Sequence, residues 1–82
     1  MPIAKRTYTE EEKEFVRNIG FRIQYFRKKA GLTQFQLAEL VDLSEATIGQ
    51  LESRNVYGLS IVALYRIAKV LSVEPFQLLQ FD

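Results

Sequence analysis

Five helix starts punctuate these 82 residues, and their spacing leaves no room for a sheet. Thr9 followed by Glu12 fits a capping box, in which hydroxyl and carboxylate each satisfy a backbone N–H that the first turn leaves unpaired. Glu10, Glu11 and Glu12 lie in that turn, where the helix dipole favours negative charge. Four further starts share one arrangement: an apolar residue, a cap residue, then an apolar residue four positions beyond the cap. Leu32-Thr33 looks ahead to Leu37, Leu43-Ser44 to Ile48, Leu59-Ser60 to Leu64, and Val73-Glu74 to Leu78. Gln36 completes a second capping box after Thr33, and Pro75 takes the first helical position that proline favours. Each apolar pair can close as a hydrophobic staple that sets the angle at which the chain enters its helix.

These starts predict five helices, near residues 9–30, 34–41, 45–53, 61–71 and 75–80. In the first, Phe15, Ile19, Ile23 and Phe26 recur at steps of three and four and give one apolar stripe. Gly31 then accepts the left-handed conformation that ends a helix. Ile61, Leu64, Ile67, Ala68 and Leu71 follow the same period, and no segment alternates as a strand does. The expected fold class is therefore all-α. With 48% hydrophobic and 26% charged residues, the chain reads as one globular domain over 1–82, with residues 1–8 as a flexible arm.

Composition removes several functions. There is no cysteine and no histidine, so disulfides, thiolate metal sites and the commonest general base are absent. No glycine-rich phosphate loop and no metal-ligand cluster occurs, and an enzyme is not expected. No cofactor, metal or small-molecule ligand is expected either. No run approaches the roughly 20 apolar residues that span a bilayer. Lys5 and Arg6 precede an acidic stretch rather than an apolar one, unlike a secretory signal, which points to a cytoplasmic protein. Net charge is only +1, yet residues 1–30 hold eight of the eleven basic residues. From Gly31 onward only Arg54, Arg66 and Lys69 are basic, against six acids. Any surface that grips phosphate must therefore draw on the first helix, the arm and Arg54.

The segment Gln34–Ser53 holds two short helices joined by Asp42-Leu43-Ser44. Ala38 is small enough for the second to cross closely over the first, while Leu37, Val41, Leu43, Ile48 and Leu51 are expected to point inward. Asp42 stands where the turn needs positive φ, and Ser44 caps the helix that follows. The outward side of that helix carries Glu45, Ala46, Gly49 and Gln50, with Thr47 at its flank. Short and polar groups of this kind suit a helix pressed into the DNA major groove.

The words Ile19-Gly20-Phe21-Arg22-Ile23, Gly31-Leu32-Thr33-Gln34, Leu37-Ala38, Leu43-Ser44, Thr47-Ile48, Leu51-Glu52 and Ile67-Ala68-Lys69-Val70-Leu71 stand in one order over about three quarters of the chain. In this the chain resembles the lambda-repressor-like helix-turn-helix family of the Cro/CI, or XRE, type. The resemblance implies a five-helix DNA-binding domain whose second and third helices form the helix-turn-helix. It implies that Thr33 and Gln34 meet a phosphate at the start of helix 2. Glu45, Ala46 and Gln50 would face base edges, with Ser44 and Thr47 beside them. Arg54 and Asn55 would contact the DNA backbone just after helix 3. Arg27 and Glu52 match a family ion pair, read as structural.

Two residues depart from the family pattern: Asp42 replaces the usual turn glycine, and Gly49 sits inside the reading helix. Gly49 has two readings, close approach to DNA or a weakened helix. Lys28 and Lys29 likewise divide between phosphate contact and a solvated last turn. At the C-terminal end Leu78 is expected to seal the core. Leu79 and Phe81, with Phe76 if the core does not claim it, suit the two-fold interface through which the family often dimerises. The expected function is a sequence-specific, double-stranded-DNA-binding transcription regulator acting as a homodimer on a palindromic operator. The alternative is a protein-interaction module on the same fold, antitoxin-like or coactivator-like.

Overall fold

A computed structural model describes residues 7–53 and 59–80, and every regular element among them is helical. Among them are four α-helices: α1 (Glu10–Lys29), α2 (Gln34–Val41), α3 (Glu45–Ser53) and α4 (Ile61–Val70). The fifth element is a 3-10 helix, Pro75–Leu79, rather than the α-helix expected over 75–80. Five residues are too few to hold an α-helix by local bonds alone, and the tighter turn serves where side-chain packing fixes the segment. The arm expected over 1–8 falls almost wholly outside the described residues, as do Arg54, Asn55 and Phe81.

The helix starts form as their residues dictate. Thr9 Oγ1 accepts from Glu12 N at 3.0 Å while Thr9 N donates to Glu12 Oε1 at 2.9 Å. Thr33 and Gln36 make the same reciprocal pair at 3.0 and 2.9 Å. Ser44 and Ser60 each accept from a backbone N–H three residues on, at 3.0 Å. The residues that follow the caps, Leu37, Ile48 and Leu78, are fully buried, and their staple partners Leu32, Leu43 and Val73 pack against the same core.

Three helices end alike, in one residue of left-handed backbone. Gly31 follows α1 at φ 77°, Asp42 follows α2 at φ 62°, and Ser72 follows α4 at φ 61°. In each case the next residue's N–H reaches back to a carbonyl near the helix end: Leu32 to Arg27 at 3.1 Å, Leu43 to Ala38 at 2.9 Å, Val73 to Ala68 at 3.0 Å. This closure satisfies a carbonyl that the helix would otherwise leave open.

One core holds the elements together. Ile23 of α1, Leu37 of α2, Ile48 of α3, Ile67 of α4 and Leu78 of the 3-10 helix meet in it with no exposure. Ile19 and Phe26 complete the α1 stripe, but Phe15, expected with them, stays half exposed. α1 crosses α3 closely at Gly20, whose missing side chain lets α1 lie directly on the Leu51 and Glu52 carbonyls. That crossing fixes α3 against the scaffold and so orients its outer face.

Candidate nucleic-acid interface

The exposed side of α3 is built from its N-terminus. Ser44 Oγ accepts from Thr47 N at 3.0 Å and lies 2.7 Å from Thr47 Oγ1, so the two hydroxyls form one polar tip at the helix start. Glu45 and Ala46 follow on the open first turn, and Gln50 stands exposed one turn further. Thr47 is half-buried beside them. Three free helix-end N–H groups and a cap hydroxyl at such a tip favour a negatively charged or hydrogen-bond-accepting partner.

Gln34 joins this surface from α2. It occupies the first helical position after the Thr33 cap, and its amide lies over Gly49 of α3. Gln34 Nε2 donates to Glu52 Oε1 at 3.1 Å. Glu52 is itself buried and takes two bonds from Arg27, Nε to Oε2 at 2.5 Å and Nη2 to Oε1 at 3.0 Å. Arg27 Nη1 also donates to the Leu32 carbonyl at 2.6 Å, at the entry to α2. The ion pair named from the sequence thus carries a third partner that the sequence reading missed. Gln34 keeps a second amide N–H for a ligand, and its carbonyl faces Gly49.

Thr33, Gln34, Ser44, Glu45, Ala46, Thr47 and Gln50 therefore lie on the α2 start and the outer part of α3, while Arg54 and Asn55 are outside the described residues. The charge expectation also holds locally: neither α2 nor α3 contains a lysine or arginine. The nearest described cations in sequence are Lys28 and Lys29, both exposed in the last turn of α1. Exposed apolar residues line α4: Ile61, which the helical period grouped with Leu64, Ile67, Ala68 and Leu71, is 84% exposed, and Val62 and Tyr65, which the sequence reading did not single out, are exposed beside it. Ile61 fits the period of the core residues, and only the burial pattern separates it from Ile67 and Ala68.

Gly49 is not required by packing within the fold. A Cβ built there would sit 3.6 Å from Gln34 Oε1, an ordinary contact. Gly49→Ala is therefore expected to raise stability by up to about 1 kcal/mol through helix propensity, read as a higher urea midpoint at unchanged slope. A drop in stability would mean that the Gln34 amide cannot yield.

A short helix with a polar outer face, laid across its predecessor on an all-helical scaffold, defines the class of compact helix-turn-helix proteins. The chain belongs to the helix-turn-helix family of the XRE, or Cro/CI, type, whose profile matches residues 23–78. It is similar to the restriction-modification controller protein C.AhdI from Aeromonas hydrophila, with 32% identity and a TM-score of 0.70 over 77% of this chain and 94% of that one. It is also similar to SinR, a master regulator for biofilm formation whose structure holds DNA, with 33% identity and a TM-score of 0.68 over 76% of this chain and 98% of that one. Hydroxypropylphosphonic acid epoxidase from S. wedmorenis shares the fold at 22% identity and a TM-score of 0.77. The match covers 83% of this chain but 36% of that enzyme. No curated protein sequence matches the chain.

Proposed function

We propose that this chain is a sequence-specific regulator of transcription that binds double-stranded DNA as a homodimer on a palindromic operator. In this reading α2 and α3 are the helix-turn-helix pair and α3 enters the major groove. The observation that carries it is the outer face of α3, where Glu45, Ala46 and Gln50 stand exposed beside the capped tip at Ser44. Gln pairs with adenine through two hydrogen bonds, Glu accepts from cytosine N4, and Ala can touch a thymine methyl. Gln34, held by Glu52 at the N-terminus of α2, donates to a phosphate and sets the register. The relative SinR, solved in complex with DNA, supports the reading. Phosphate grip comes from Lys28 and Lys29, with Arg54 and Asn55 after α3.

The second copy is expected at the C-terminal end. Phe76 is 61% exposed and Leu79 40% exposed on the 3-10 helix, while Leu78 between them is buried as expected. Pairing through Phe76 and Leu79, joined by Phe81, would have to place two copies of α3 about 34–36 Å apart to reach successive major grooves.

Selection of bound duplexes from a random pool, followed by a salt titration on the selected site, tests this function. Affinity is expected to fall steeply with salt as counterions leave the phosphates. Gln50→Ala is expected to cost about 1–3 kcal/mol on the selected site and to relax preference at one base pair, with nonspecific binding nearly unchanged. A pool that yields no preferred sequence sinks the proposal. The lack of any lysine or arginine on α2 and α3 favours the second reading, a protein-interaction module on this fold. Retention of a stoichiometric protein partner, with no salt-sensitive DNA binding, would establish that reading instead.

A further inference from the structure

The outward face of α1 carries a charge and aromatic pattern that the α3 surface does not use and that touches the core where the Tyr25 ring stands edge-on to Phe26. Glu10, Glu14, Arg17, Phe21, Tyr25 and Lys28 recur at steps of three and four, and all are exposed. Helical geometry places residues at this spacing on one stripe, opposite the buried Ile19, Ile23 and Arg27. Phe21 is 50% exposed and Tyr25 52% exposed, side by side on a soluble helix where a polar pair would cost nothing. The charges along the stripe are segregated: acidic at Glu10 and Glu14, basic at Arg17 and Lys28.

We propose that this face pairs with the same face of a second copy, α1 against α1 in antiparallel order, about a two-fold axis at Phe21. The register follows from the sequence. A two-fold at residue 21 sets Phe21 against its own copy, Glu14 against the partner's Lys28, and Tyr25 against the aliphatic stem of the partner's Arg17. Both Glu–Lys pairs form at once, because an isologous interface repeats each contact. A parallel arrangement would instead set Glu14 against Glu14 and Lys28 against Lys28. The antiparallel order also opposes the two helix dipoles. The stretch from Glu14 to Lys28 is about 21 Å long, so the contact is smaller than the roughly 800 Å² per partner of a stable interface. Pairing is therefore weak in dilute solution and strengthens where copies are held near one another. Apart from Lys28, which the DNA-binding reading assigns to phosphate, its residues belong neither to that reading nor to the C-terminal pairing, which lies on the 3-10 helix packed against α1.

The absence of cysteine makes the axis directly testable. A thiol introduced by Phe21→Cys meets its own copy in the proposed dimer, whereas one introduced by Glu39→Cys, exposed on α2, reports chance collision. Under mild oxidation at low salt, the Phe21→Cys chain is expected to form covalent dimers at least about tenfold faster than the Glu39→Cys chain. Adding Glu14→Lys turns two attractive pairs into two repulsive ones and is expected to slow cross-linking about tenfold. Adding Lys28→Glu as well restores both pairs in reverse and is expected to recover the original rate. Equal rates at the two thiols, or a double reversal that fails to recover the rate, overturns the proposal. Preferential cross-linking of the Phe21→Cys chain to an acidic amphipathic peptide bearing a thiol, over its own copy, overturns it in favour of an acidic partner.

Discussion

Replacing Arg27 by methionine is expected to lower stability by about 3–5 kcal/mol, a large part of what a domain of this size possesses. The change keeps an unbranched apolar stem but removes the guanidinium that Glu52 needs. Glu52 has a side-chain exposure of 1% and Arg27 one of 9%, so no water can take over the lost bonds. The carboxylate would keep only the Gln34 amide, and the Leu32 carbonyl would lose its donor. Urea unfolding followed by circular dichroism reads the effect as a fall in midpoint at unchanged slope. The double change Arg27→Met with Glu52→Leu is expected to regain most of the loss, because it removes the buried charge together with its partner. The exposed pair Lys13–Glu10, at 3.5 Å, marks the contrast: Lys13→Met there is expected to move stability by less than about 0.5 kcal/mol. A small loss at Arg27 would mean that Glu52 finds another donor.

A Gly20→Ala chain is expected to lose about 3 kcal/mol, although alanine is the better helix former. The added Cβ would overlap the carbonyl oxygen of Leu51, and a backbone oxygen cannot turn aside as a side-chain tip can. α1 and α3 would have to separate, loosening the core to which they contribute Ile23 and Ile48. The same substitution at Gly49 meets only the end of a glutamine, so one chemical change is expected to act with opposite sign at two helical glycines. Thermal or urea unfolding of the two variants side by side settles it. A Gly20→Ala chain as stable as the parent would show that the crossing is loose. The loss is also expected to reach the outer face of α3, since its angle is set at Gly20.

Much of this architecture is written in short local signals. The boxes at Thr9 and Thr33, the caps at Ser44 and Ser60, and the left-handed exit at Asp42 each depend on residues within a turn of one another, and each is legible in the chain. What escaped depends on how elements meet. The character of Pro75–Leu79 is set by packing, and apolar spacing over five residues does not separate an α-turn from a 3-10 turn. Ser72 carries left-handed backbone without the glycine or asparagine that would announce it. Gly20 reads as one small residue in a helix until α3 is laid across it. The tie from Gln34 to Glu52 spans 18 residues and joins two helices, so no local pattern holds it. Phe15 fits the apolar period yet is half exposed, which spacing along the chain does not tell.

Glu52 has a consequence for how such a protein diversifies. One carboxylate serves both the scaffold, through Arg27, and the surface, through Gln34. Drift at either partner is therefore felt as instability before it is felt as altered recognition. Glu45, Ala46 and Gln50 carry no bond to the interior among the hydrogen bonds of the described side chains. Those three positions can be rewritten by mutation one at a time while the scaffold keeps its stability. On the proposed DNA-binding reading, a lineage built on this arrangement can acquire new binding sites without first having to become more robust.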